Sequence, residues 1–242
     1  MDLQVLKIAS MCGIRLLVHT SGMIGLLACM ISCQQTDTSG SVTSGQCRQS
    51  DQLIPFYNTP DFTPIWLTNS DDVNQKITHR IADFSFLDQT DSLITQNTVT
   101  GKIHVANFFF TTCPNICPKI TNLLKTVQDT FRHDPRLIIL SFSVTPWLDS
   151  VSQLRRYANQ KGIISEKWHL LTGERGRIYD LARRSYFAEE AIGFTKDSTE
   201  FLHTEHLILI DQNRRIRGIY NGTLPLDISH LLADVQTLLQ EK

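Results

Sequence analysis

Three apolar runs limit what this chain can become. Residues 102–110, 137–144 and 207–211 are short, uninterrupted and rich in Ile, Leu, Val and Phe, which reads as strands buried on both faces. Strands of that kind need amphipathic cover, and the segments between them supply it. Residues 119–131 carry Ile120, Leu123, Leu124 and Val127 on one helical face. A second helix runs from Leu148 or Asp149 to Gln160 and stops at Gly162. Residues 168–172 are short and extended, and 175–186 are helical. After the third strand, Asn213-Arg214 turns the chain into 216–220, which alternates like a hairpin partner. A terminal helix from Pro225 or Asp227 carries Leu231, Leu232, Val235, Leu238 and Leu239.

Strand–helix–strand–helix followed by a hairpin and a helix is the α/β order of the thioredoxin fold: a central mixed sheet flanked by helices. Two earlier pieces form an N-terminal strand or hairpin extension. Residues 62–67 suit an edge strand, and 81–88 alternate as a half-buried strand should. The folded domain is therefore expected over 51–242. With 23 basic against 24 acidic side chains among 242 residues, no basic field points to nucleic acid and no acidic run points to a disordered tail. The 41% hydrophobic share is adequate for one core, and a monomer is expected.

The N-terminus has a different character. Lys7 and Arg15 precede a stretch, 16–32, without a charged side chain, the basic-then-apolar order of an export signal. It closes on Met30-Ile-Ser-Cys33 and then the polar Gln34-Gln-Thr, which resembles a bacterial lipoprotein signal ending at an acylated cysteine. Cys29 is a second candidate, but cutting there leaves apolar residues behind, so Cys33 is preferred; an uncleaved anchor helix is the plainer alternative. Met11 would give a more ordinary start. Residues 1–32 are thus expected as signal and 33–50 as a Ser/Thr/Gly-rich spacer from lipidated Cys33. The domain would face the periplasm, tethered to a membrane of the bacterial cell envelope. Cys47, near the spacer, reads as incidental.

The chemistry gathers where the first buried strand ends, in Phe108-Phe-Phe-Thr-Thr-Cys113-Pro-Asn-Ile-Cys117-Pro118. Pro118 suits the first turn of a helix. A helix start offers free N–H groups and partial positive charge, both of which favour thiolate. Residues four apart share a helix face, so the two sulfurs can converge on one ion or on each other. The bland alternative is an inert structural disulfide, common outside the cytoplasm. A bridge across so small a loop would be a weak staple. The carboxyl end of a central strand is also where open α/β sheets place ligands.

Eight histidines could supply a third group. His104 sits near the far end of the cysteine strand, on the order of 25–30 Å from Cys113, and reads as structural. His203 lies in the loop before the third buried strand, which in a thioredoxin-like sheet packs beside the cysteine loop. His206 points to the opposite face of the strand from His203 and would pack under a helix. Residue chemistry alone leaves His203 open between a ligand and a hydrogen-bonded structural residue.

Phe110-Thr-Thr-Cys-Pro-Asn-Ile-Cys-Pro118 resembles the Phe-Thr-x-Cys-Pro-x-x-Cys-Pro signature of the SCO/SenC family, copper-handling proteins involved in cytochrome c oxidase assembly. Ser143-Val-Thr-Pro-Trp-Leu-Asp149 is similar to that family's Ser-Val-Asp-Pro-x-x-Asp, and Trp168-His-Leu-Leu-Thr-Gly173 to its Trp-x-x-Leu-Thr-Gly. The resemblance runs from about Ile81 to the C-terminus. It implies a ligand histidine eight residues before the acid or glycine that ends the following strand. His203 stands eight before Asp211, so the resemblance selects it over His206. Thr145 departs from the pattern where an acid is usual, and Phe109 where glycine is commoner. Asp149 matches the other acid, though helix N-capping explains it equally well.

The resemblance therefore implies a metallochaperone rather than an enzyme, holding copper through Cys113, Cys117 and His203. Its target would be the CuA site of cytochrome c oxidase subunit II, or another cuproprotein. Two thiolates and an imidazole form a soft set suited to Cu(I), with Cu(II) seeking a further ligand, whereas structural zinc would ask for a fourth. The alternative is a thiol–disulfide oxidoreductase that keeps target cysteines reduced, Cys113 attacking and Cys117 resolving. Their Cα atoms, about 6 Å apart across one turn, are within disulfide reach. A thioredoxin-like peroxidase is a weaker third reading, because the cysteine loop supplies no arginine to activate peroxide.

Overall fold

β5 (Ile103–Phe109) and β6 (Leu137–Ser143) form the centre of the protein, every residue of both strands being buried. They pair in parallel from Ile103 opposite Leu137 to Phe109 opposite Ser143. The computed structural model describes residues 53–188 and 204–241, all within the unit Gln49–Lys242. The expectations for Cys29, Cys33, Cys47 and His203 lie outside the described residues. Among those residues, no helix is long and apolar enough to cross a membrane.

Around this pair stands a seven-stranded mixed sheet. β7 (Trp168–Leu171) runs parallel to β6 on one side. On the other, β8 (His206–Ile210) is antiparallel to β5, and β9 (Ile216–Asn221) antiparallel to β8. β1 (Phe56–Tyr57) and β2 (Pro64–Ile65) extend that side, giving the order β2-β1-β9-β8-β5-β6-β7. The edge strand expected over 62–67 is thus present but two residues long, with Pro64 on the margin where its missing N–H costs least.

Side-chain alternation divides the core. Val105 and Phe109 face one side, with Cys113, Cys117, Leu207 and Leu209. That side is covered by α3 (Ile116–Thr130), α4 (Val151–Lys161) and α6 (Pro225–Leu238). Ala106, Phe108, Phe142 and Ile208 face the other side. There α5 (Arg175–Asp180) and a small hairpin, β3 (Ser85–Leu87) with β4 (Leu93–Thr95), provide the cover. Two short helices complete the elements of the described residues, α1 (Ser70–Lys76) and α2 (Gln96–Val99).

Two expected elements take different forms. Residues 81–88 are not one strand: only Ser85–Leu87 pair, in a separate hairpin that meets the margin of the main sheet through the Leu87–Thr172 bridge. The burial pattern explains this, because Ala82 and Asp83 are exposed in succession and alternation begins only at Phe84. The helix expected over 175–186 changes at Asp180 into a π-helical turn, Leu181–Ser185, where Tyr186 N–H reaches back to Leu181 O at 3.1 Å. The wider turn presents the Ser185 carbonyl to His79 Nε2, which donates to it at 2.8 Å.

The β7 edge is met by the Leu87–Thr172 backbone bridge just past its end and, along the strand, by one side chain. Gln89, in the β3–β4 turn, accepts from Leu170 N–H at 2.7 Å and donates to Trp168 O at 2.7 Å. Its amide therefore substitutes for a neighbouring strand's backbone, and the residue is fully buried. His104 is structural, as its place on β5 suggested: its ring is buried 3.1 Å from the Tyr186 hydroxyl.

Candidate metal centre

The cysteine loop occupies the carboxyl end of β5. Cys113 N–H donates to Phe110 O at 3.3 Å, forming a tight turn, and α3 begins at Ile116. Asn115, at the N-cap, makes no side-chain capping bond, so the first N–H groups of the 15-residue helix lack the usual partner. The Cys113 sulfur takes their place: Cys117 N–H stands 3.4 Å from Cys113 Sγ. Both thiols are free, with Cys113 8% and Cys117 4% exposed.

The two sulfurs differ electrically. Burial works against a Cys113 thiolate, but the N–H groups of Cys117, Asn115 and Ile116 outweigh it and lower its pKa below the usual thiol value. Cys117 lies deeper. Burial, reinforced by the negative charges of Cys113 and Asp149, pushes its pKa up to about 12.

Asp149 does not cap α4; Ser150 does, its hydroxyl accepting from Gln153 N–H at 3.3 Å. Asp149 is instead completely buried. It accepts from the hydroxyls of Thr111 and Ser143, each at 2.5 Å, from the Thr145 hydroxyl at 3.1 Å and from Thr111 N–H at 3.3 Å. The sequence offered two adjacent cap formers, Asp149 and Ser150, and only one can occupy the cap, which was the available hint. Thr145, where an acid was expected from the family pattern, donates to Asp149 in place of presenting a second carboxylate. Phe109, where glycine is commoner, fills the core against Tyr157, with ring centroids 5.8 Å apart. The Tyr157 hydroxyl lies 2.9 Å from that of Thr121, one turn along α3 from Cys117.

His206 faces the α5 side of the sheet, away from the sulfurs. Among the described residues its ring meets the Phe62 ring in the β1–β2 turn edge-on, at 6.1 Å and 87°. Near the start of β8, Glu205 O accepts from Gly222 N–H at 2.8 Å, and a Cβ on Gly222 would lie 3.2 Å from Ile120 of α3. The start of β8 and the cysteine helix are thereby packed together through Gly222. Among the described residues, no three His, Cys, Asp or Glu side chains are grouped to hold a metal.

A mixed sheet with its dithiol at the start of the first long helix defines a thioredoxin-like protein. The SCO1/SenC family model matches residues 72–240. This chain belongs to the SCO1/SenC family. It is 23% identical over 167 residues to a SCO1 protein homolog from Bacillus subtilis, covering 68% of this chain and 86% of the relative. Among solved structures it is similar to BsSco, described as a member of the Sco family of cytochrome c oxidase assembly proteins with a disulfide switch. That likeness has a TM-score of 0.57 and 25% identity, over 68% of this chain and 95% of BsSco. It shares its fold with Arabidopsis thaliana ScoI, solved with copper bound, at TM-score 0.52 and 24% identity, over 66% of this chain and 98% of that one.

Proposed function

We propose that this protein is a copper carrier in which Cys113, Cys117 and His203 hold one copper ion for delivery to the CuA site of cytochrome c oxidase subunit II. The observation that carries the reading is the pair of free sulfurs at the α3 N-terminus, bridged by the 3.4 Å Cys117 N–H to Cys113 Sγ contact. Family membership and the copper-bound Arabidopsis relative support copper as the cargo. The packing of Glu205 and Gly222 beside Ile120 supports His203, two residues before Glu205, as the third ligand. Anaerobic Cu(I) titration of the reduced protein tests it. One copper per chain is expected, with Cys113→Ser, Cys117→Ser and His203→Ala each lowering affinity at least ~10-fold. Unchanged affinity in His203→Ala overturns the three-ligand centre.

A specific observation favours a second role, thiol–disulfide exchange. The lowered Cys113 and raised Cys117 pKa values suit an attacking and a resolving thiol. Reduction of an oxidised target dithiol that survives His203→Ala but not Cys113→Ser would favour it.

The membrane tether belongs to the same proposal: Cys33 carries the lipid and the domain faces the periplasm. Fatty-acid labelling that Cys33→Ala abolishes and Cys29→Ala leaves intact supports the tether. The reverse pattern moves the anchor to Cys29.

A further inference from the structure

Asp149 is a buried carboxylate that forms no ion pair among the described residues, and α4 does not use it as a cap. Burying a charge this way is costly unless fixed donors replace water. Four donors do so here: the Ser143 and Thr145 hydroxyls at the end of β6, and the Thr111 hydroxyl and N–H in the cysteine loop. Gln153 Nε2 donates to the Thr111 hydroxyl oxygen at 3.0 Å and closes the cluster from the α4 side. Thr145 N–H in turn donates to Ser143 Oγ at 3.2 Å, and Val144 N–H to Phe109 O at 2.9 Å, so the end of β6 is itself held.

Through this cluster the end of one strand grips the loop at the end of its parallel neighbour. Thr111 stands two residues before Cys113, and only Thr112 separates the gripped residue from the sulfur. We propose that Asp149 is the positioning residue of the cysteine loop, fixing the Cys113 sulfur over the α3 N-terminus through Thr111 without a hydrogen bond to either sulfur. The Thr145 hydroxyl is part of the brace, because it supplies a donor where an ionised acid could only accept. For copper retention this rests on the carrier reading above; for the placement of the sulfur it does not.

The test compares Asp149→Asn with Gln89→Ala, a variant weakened at the remote β7 edge. Three quantities are read on the reduced full-length protein: the alkylation rate of Cys113 by iodoacetamide, Cu(I) affinity by chelator competition, and the thermal midpoint. Asp149→Asn is expected to change the Cys113 alkylation rate several-fold and to weaken Cu(I) binding about 10- to 100-fold, the range for groups that orient metal ligands. Gln89→Ala is expected to lower the midpoint while leaving both sulfur readouts unchanged. If Asp149→Asn alters only the midpoint, the brace is merely structural and the inference fails. If the wild-type protein takes up no Cu(I), the carrier reading fails while the alkylation rate still decides the brace. Should Asp149→Asn not fold, Thr145→Val and Ser143→Ala each remove one donor. Graded changes at Cys113 then support the brace, and unchanged Cys113 kinetics in both overturn it.

Discussion

Cys117 N–H points at the Cys113 sulfur from 3.4 Å, so the deeper cysteine's backbone stabilises the shallower cysteine's charge. One residue thereby lowers its neighbour's pKa while its own thiol is pushed up to about 12. Near pH 8 Cys113 should be the dominant nucleophile of the pair. Alkylation followed by peptide mapping is expected to modify Cys113 at least ~10-fold faster than Cys117. Equal rates would show that the helix start does not separate the two sulfurs.

The Gln89 amide closes the β7 edge with two bonds to backbone groups, at Leu170 N–H and Trp168 O. Removing it leaves both groups buried without a partner while keeping every strand's own sequence. Gln89→Ala should destabilise the protein by about 2–3 kcal/mol in urea unfolding. Slow amide exchange at Leu170 should be lost in the same variant. A change below 0.5 kcal/mol would mean that water enters and replaces the side chain.

His104 gives the fold a pH dependence of known sign. Burial lowers its pKa from 6.5 to about 3, so the folded chain keeps the ring neutral where the unfolded chain protonates it. As pH falls below 6.5, the unfolded state binds a proton that the folded state refuses, and stability drops until about pH 3. By pH 4.5 the loss should reach about 2–3 kcal/mol. His104→Asn, which does not titrate, should remove that portion of the slope between pH 7 and 4.5, whatever its effect at neutral pH. An identical slope in both proteins would place the acid sensitivity elsewhere. Asp88 adds to the loss below about pH 4. Burial works upward on its carboxyl, but the Thr90 and His169 hydrogen bonds prevail and hold it below the usual range, so its stabilisation fades as acid protonates it.

The sheet was legible because its strands are uniform. A run such as 137–144 is apolar at every position, and β6 is indeed buried along its whole length. The α3 register followed from Ile120, Leu124 and Val127, all buried, and the helix stop from Gly162, which adopts φ 67° at the α4 C-cap. Long-range side-chain contacts were not legible. Nothing local to Gln89 announces a partner 81 residues away, and Asp149 reads as a helix cap until Thr111, 38 residues earlier, is seen to bond it. The π-helical turn was invisible for a related reason, since its benefit lies in the His79 contact rather than in the pattern of 181–185. Of the candidate centre, the two sulfurs and their helix were readable from spacing and Pro118. The brace behind them was not, because hydroxyl donors carry no periodic signal.

Gly222 offers a test of how the start of β8 is held against the cysteine helix. Its φ does not require glycine, so any cost of a side chain there is steric. A Cβ would lie 3.0 Å from Glu205 O just before β8, 3.0 Å from Leu207 Cγ on β8 and 3.2 Å from Ile120 Cγ2 on α3. The two side-chain atoms can yield a little, whereas the carbonyl is fixed by its bond from Gly222 N–H. Gly222→Ala should therefore cost about 1–3 kcal/mol and push the start of β8 away from α3. On the carrier reading, it should also weaken Cu(I) binding beyond what Gln89→Ala does at equal loss of stability, because His203 lies just before the displaced residues. Copper binding that tracks stability alone in the two variants would show that the placement of β8 against α3 does not matter for the metal.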